Sequence, residues 1–212
     1  MNNIIKYIFL FIVLFITGLM IYYFKRFEYV FKLNETLYIS AAVFTAGVFI
    51  NRKFSERLLF WKTLNHELTH IFFSLIFGNK ITGLHATEED GGLARYQGRS
   101  NFVITLAPYF FPLVPFVLIL FSIIIRPEIA HYFRFIIIFV YALSLCSQIE
   151  DFRYEQSDIK EEGKIFSTLF IVVMNVQSLL FFAAYGNNRT DSYQHTIMTL
   201  FSELIHYVKV IF

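Results

Sequence analysis

The chain alternates long apolar runs with short polar intervals. Residues 7–24 carry no charged side chain over a length that can cross a hydrocarbon core of about 30 Å. A second apolar segment, 35–50, contains Ser40, Ala41, Ala42, Ala46 and Gly47, small residues that let membrane helices approach closely. After a polar stretch from Asn51 to Lys62, the pattern predicts a helix over roughly 57–77, stopped by Gly78-Asn79. Further apolar segments at 102–125, 132–149 and 164–185 bring the total to about six.

The intervals are informative too. Residues 78–101 hold Gly83, Gly91, Gly92 and Gly98 between short apolar pieces at Ile81, Leu84, Leu93 and Tyr96, which suits a small hairpin and not a helix. Segment 102–125 contains Pro108, Pro112 and Pro115, so it should be kinked or broken in its first half: each proline removes a backbone donor and crowds the preceding turn. A charged stretch, 150–162, precedes the last long segment. Beyond it, Ile197, Leu200, Phe201, Leu204, Ile205 and Val208 recur at helical spacing, which predicts an amphipathic helix over 196–212.

Composition agrees with this pattern. The 212 residues are 57% hydrophobic, 20% aromatic and only 16% charged, unlike an ordinary soluble fold. The expected architecture is an all-α polytopic membrane protein with a small β-hairpin-like insertion. Residues 1–56 would form N-terminal anchor helices, 57–185 the membrane core and 186–212 the amphipathic tail. The first run reads as a retained anchor, because its apolar part exceeds the usual length of about 7 to 15 residues and no small-x-small cleavage site follows. A net charge of +2 without a basic cluster argues against nucleic acid as a partner. Lys and Arg divide evenly between the two faces of a six-segment arrangement, so charge does not orient it. Cys146, alone and inside an apolar run, reads as a buried small hydrophobe.

The chemistry is concentrated in the 57–77 helix, where Asn65-His66-Glu67-Leu68-Thr69-His70 interrupts the apolar run. His66 and His70, four apart, share one helix face about one turn from each other, with Glu67 beside them. Two neutral imidazoles at this spacing can hold a zinc ion. A third protein ligand would complete the tripod and leave a fourth position for a water that Glu67 can deprotonate. The reaction class implied is metal-assisted hydrolysis. Imidazole and carboxylate groups inside an apolar helix are costly and are functional candidates by default.

Four aspartates are available as the third ligand. Asp90 sits beside Glu88 and Glu89 in an acidic turn, and Asp191 lies at the polar start of the tail. Asp158 is the first choice and Asp151 the second, both close to the start of the last long segment. His85, His131, His195 and His206 read as surface or interfacial residues. Asn101, Thr105 and Gln156 could donate to a peptide or a developing oxyanion.

These features resemble the site-2 protease group of intramembrane zinc metallopeptidases. The likeness rests on His66-Glu67-Leu68-Thr69-His70 in an apolar helix, the glycine-rich loop after it, the Ala107-Pro108-Tyr109 break and an aspartate near the last apolar segment. It spans roughly residues 57–185. The resemblance implies Zn2+ held by His66, His70 and Asp158, with Glu67 as general base. It also implies an integral membrane protein acting on a membrane-embedded protein or peptide, here expected in the cytoplasmic membrane of a bacterium. The family's aspartate is commonly followed by glycine, whereas Ile159 follows Asp158 and the next glycine is Gly163.

Two other readings stay open. One is a membrane zinc hydrolase of another type, such as a prenyl-protein peptidase, for which Glu150, Glu155, Glu161 and Glu162 offer carboxylates. The other is a catalytically inactive metal-binding scaffold. Strict alternation of six spans would also place Asp158 on the face opposite the motif. Either a segment near the motif crosses incompletely, or the 150–162 stretch dips back inward.

Overall fold

The computed structural model describes residues 3–22, 34–87, 91–188 and Met198. Asp90, Asp191, His195, His206 and nearly all of the expected amphipathic tail lie outside the described residues. The described chain is mostly helical: α1 (Asn3–Tyr22), α2 (Glu35–Phe54), α3 (Leu59–Ile76), the strands β1 (Lys80–Ala86) and β2 (Gly92–Gln97), then α4 (Phe102–Leu106), α5 (Leu113–Ser122), α6 (Pro127–Asp151), α7 (Ser157–Glu162) and α8 (Lys164–Gly186).

Local chemistry explains several boundaries. The Asn34 side chain caps α2 by accepting from the Leu37 amide at 2.8 Å. Helix α3 closes in a Schellman turn: the Gly78 amide donates to the Leu75 carbonyl at 3.0 Å and the Asn79 amide to the Ser74 carbonyl at 2.9 Å. Gly78 takes φ +76, a left-handed value that suits glycine. Pro108 and Pro112 break the next segment as expected. Helix α4 passes into a 3-10 turn, Ala107–Tyr109, and the two halves, Phe102–Tyr109 and Leu113–Ser122, meet at 85°.

The helices are inside-out by soluble standards. The buried residues of α3 are Lys62, Glu67, Thr69 and Ser74, while Trp61, Leu75, Ile76 and Phe77 are exposed. Helix α2 likewise buries Ser40, Gly47 and Asn51 and exposes Tyr38, Ile39 and Phe49. Outward apolar faces belong against lipid, and the chain is an integral membrane protein. By length and composition, Glu128–Asp151 and Lys164–Gly186 can each cross a membrane, and the bent pair makes a third if counted as one span. Six full spans are therefore met only in part among the described residues. The polar side chains of α2 and α3 lower their hydropathy.

Packing brings these pieces around α3. Helix α6 takes α2 on one side and α5 on another, with α8 also against it. At Gly47 an added Cβ would stand 2.7 Å from Ala142 Cβ and 2.9 Å from the Phe139 carbonyl oxygen, so glycine sets the α2–α6 spacing. The β1–β2 hairpin is antiparallel, pairs Lys80 with Gln97 and Ala86 with Gly92, carries a bulge between Ile81 and Gly83, and lies along α3. An apolar cluster containing Phe102, Tyr109, Phe110, Ile159, Phe166 and Phe170 joins α4 and the 3-10 turn to α7 and α8. Phe102 meets Phe166 and Phe170 edge-on at 5.4 and 5.2 Å, a favoured aromatic geometry.

Candidate metal centre

One turn of α3 sets the His66 and His70 rings 5.1 Å apart. Each ring is held from behind. His70 Nδ1 lies 2.9 Å from the carbonyl oxygen of Ile104, and His66 Nδ1 faces Asp151 Oδ2 at 3.6 Å. With Nδ1 donating to the Ile104 carbonyl, His70 keeps its proton on that nitrogen and its Nε2 lone pair for a ligand. Both Nε2 atoms turn to the same oxygen, Asp158 Oδ2, at 3.7 Å from His66 and 3.4 Å from His70.

His66, His70 and Asp158 thus form a group whose ligand atoms all lie within 4.8 Å of one another. Donors about 2.0–2.1 Å from a tetrahedral zinc stand about 3.3–3.4 Å apart. The separations of 3.4 and 3.7 Å from Asp158 Oδ2 to the two Nε2 atoms lie near that spacing, and two imidazoles with one carboxylate are a donor set zinc accepts. Asp151, the second choice for third ligand, is not in this group. Its carboxylate sits behind His66, where it accepts from Ser147 Oγ at 3.5 Å.

The fold places each member for a local reason. Ile104, fully buried, presents its carbonyl from α4, whose start is fixed by Asn101: the side-chain oxygen accepts from the Val103 and Ile104 amides at 2.9 and 3.1 Å. Asp158 is in the first turn of α7, and the next residue, Ile159, is fully buried in the aromatic cluster. Glu162 at the end of α7 pairs with Lys6 of α1, and both side chains are largely buried. Gly163, at φ +95, then turns the chain into α8.

Glu67, 8% exposed, lies beneath β2. A Cβ on Gly92 would come within 2.4 Å of its Cγ, so the strand backbone touches the carboxylate arm. A second polar knot orients α3 against α6 and α2. Lys62 pairs with Glu150 and donates to Ser55 Oγ at 2.8 Å, and Asn51 donates to Glu150 at 2.7 Å.

A family model described as Peptidase M50B-like matches residues 38–211, which include His66, Glu67, His70, Tyr109, Asp151 and Asp158. The chain belongs to this family. Membership in the Peptidase M50B-like family agrees with the site-2 protease resemblance and places the chain among membrane metallopeptidases. No curated protein and no solved structure matches it.

Beside the sequence candidates, Tyr109 stands out as a site residue that spacing did not single out. It is fully buried, its ring meets His66 edge-on at 5.2 Å, and its hydroxyl donates to Asp158 Oδ2 at 3.0 Å. Its only sequence signal is its place at the end of the Ala107-Pro108-Tyr109 break. Three other candidates are used elsewhere or lie outside: Asn101 caps α4, Thr105 donates to the Asn101 carbonyl at 3.1 Å, and Gln156 is exposed. His85 is exposed on β1 opposite Leu93.

Proposed function

We propose that the protein is a zinc-dependent endopeptidase that cuts a membrane-embedded or juxtamembrane peptide bond. The observation that carries this reading is the convergence of His66 Nε2, His70 Nε2 and Asp158 Oδ2, with His70 Nδ1 bound to the Ile104 carbonyl and His66 Nδ1 facing Asp151. His66, His70 and Asp158 hold the metal. Zinc bound there would polarise the peptide carbonyl and acidify the attacking water. Glu67 takes a proton from that water on its carboxylate and delivers it to the departing amide nitrogen. Tyr109 fixes Asp158 through its hydroxyl, and Asp151 orients His66. The substrate helix must be unwound locally, because an intact helix hides its carbonyls, and an edge of the β1–β2 hairpin beside α3 can hold the extended strand.

The carboxylates that favoured another kind of zinc hydrolase are paired elsewhere or exposed, and none is in the His66, His70 and Asp158 group. Glu150 is bound by Lys62, Asn51 and Ser55, Glu162 pairs with Lys6, and Glu155 and Glu161 are exposed. The test is zinc content and cleavage measured together in purified protein. Asp158→Ala should lose the metal, and Glu67→Gln should keep it and lose cleavage. Full activity in Glu67→Gln refutes the mechanism, and a metal-free wild type favours the scaffold.

A further inference from the structure

Between α6 and α8 lies a cavity of about 330 Å³ whose walls include Tyr109, Leu145, Gln148, Phe152, Asn175 and Val176. It is almost wholly apolar apart from two amides, and these are oddly provided for. Gln148 is 3% exposed, yet among the described residues neither its Nε2 nor its Oε1 has a hydrogen-bond partner. Asn175 donates its Nδ2 to the Tyr109 and Ile171 carbonyls at 2.8 and 3.0 Å, while its Oδ1 is also unpartnered. A buried amide is costly to leave unsatisfied, and a primary amide with both a donor and an acceptor free is complementary to one peptide unit of an extended chain.

The cavity also adjoins the metal centre. Tyr109 is a wall of the cavity while its hydroxyl donates to Asp158 Oδ2, and Phe152 directly follows Asp151. Whatever fills the cavity is separated from the proposed zinc ligand by one tyrosine ring.

We propose that this cavity is the subsite for a substrate residue beside the scissile bond: Gln148 pairs with its backbone amide, and the apolar walls take an aliphatic side chain. The proposal rests on the endopeptidase reading and adds a specificity determinant to it. An apolar side chain suits these walls, and an unwound backbone exposes the N–H and C=O that Gln148 lacks.

The experiment uses full-length, zinc-loaded protein in nanodiscs and calorimetric titration with three probes: acetohydroxamate, N-acetylglycine hydroxamate and N-acetylleucine hydroxamate. The leucine probe should bind about tenfold or more tighter than the glycine probe, as expected when aliphatic groups fill an apolar pocket. Val176→Phe, which fills the cavity, should erase that difference and leave acetohydroxamate binding unchanged. Gln148→Met should weaken the glycine and leucine probes alike by about fivefold to tenfold, again sparing acetohydroxamate; it decides the matter if Val176→Phe does not fold. Equal affinity of the wild type for glycine and leucine probes, a leucine preference that survives Val176→Phe, or unchanged binding in Gln148→Met overturns the subsite. Failure of acetohydroxamate to bind zinc-loaded wild type overturns the metal-centre reading, and the subsite with it.

Discussion

Replacing Gly92 by alanine should separate metal binding from catalysis. Gly92 opens β2, and a methyl group there would stand 2.4 Å from Glu67 Cγ, 2.5 Å from Oε1 and 2.7 Å from Cδ. Ordinary contact begins near 3.4 Å, so one partner must yield by the difference between 3.4 and 2.4, about 1 Å. The strand is held by its ladder to β1, where Gly92 pairs with Ala86, whereas Glu67 hangs on a flexible stem. The carboxylate moves. A catalytic group displaced by about 1 Å loses on the order of 100-fold in rate, equivalent to about 2.7 kcal/mol of barrier. Because the three atoms nearest the new methyl group all belong to Glu67, zinc content should be unchanged, and the thermal midpoint should hardly move. The assay is cleavage of a quenched-fluorescent peptide bearing a transmembrane helix, in proteoliposomes, with zinc measured on the same preparation. A wild-type rate refutes the reasoning. Loss of zinc refutes it differently, by showing that the methyl group displaces α3 and not Glu67 alone.

Other perturbations test the supports of the site. Asp151→Ala should lower zinc affinity by about 10- to 100-fold in a chelator competition, since it removes the group that orients His66 without removing a ligand. Lys6→Met leaves Glu162, 5% exposed, buried without its partner; denaturation should show a loss of about 3–5 kcal/mol, and replacing both residues by apolar ones should restore most of it. Gly98→Ala should loosen the hairpin, because a Cβ there would sit 1.9 Å from Asn79 Oδ1 at a backbone angle of φ +146; limited proteolysis between β1 and β2 should accelerate while zinc content stays the same. Chelator treatment should lower the thermal midpoint, and zinc added back at about 100 times its dissociation constant should restore about 2.7 kcal/mol of stability.

Much of the site was legible because it obeys local rules. His66, Glu67 and His70 are fixed relative to one another by the pitch of a single helix, and glycines mark both the end of α3 and the hairpin that follows. Prolines marked the break after Tyr109. What spacing could not give are contacts between elements far apart in sequence. Ile104 supports His70 through a backbone carbonyl, which every residue type carries. Asp151 and Asp158 are chemically identical, and only the packing of α6 and α7 puts one behind His66 and the other before both Nε2 atoms. Gln148 gave no signal because an amide in an apolar helix looks the same whether its partner is protein or substrate.

Two departures from regular helices act together to bring Asp158 to the motif. The segment after the hairpin does not run straight: its 85° bend turns α4 and the Ala107–Tyr109 turn alongside α3, which brings the Ile104 carbonyl and the Tyr109 hydroxyl to the motif. The charged stretch after α6 is mostly exposed, but within it Ile159 is fully buried in the cluster that holds Phe102, Leu106 and Tyr109 of that bent segment. Burying Ile159 draws the preceding residue, Asp158, inward with it. Lys6 holds the far end of α7 through Glu162, and Gly163 lets the chain reverse into α8 without lengthening the connection. The proposed third ligand is thus carried on a six-residue helix anchored at one apolar residue and one ion pair. On this account Ile159→Ala should reduce zinc affinity although Ile159 touches no metal ligand but its neighbour in sequence. It should also cost about 2–5 kcal/mol of stability, the range for truncating a buried isoleucine. Zinc affinity equal to wild type in Ile159→Ala would show that Asp158 reaches the histidines without that anchor.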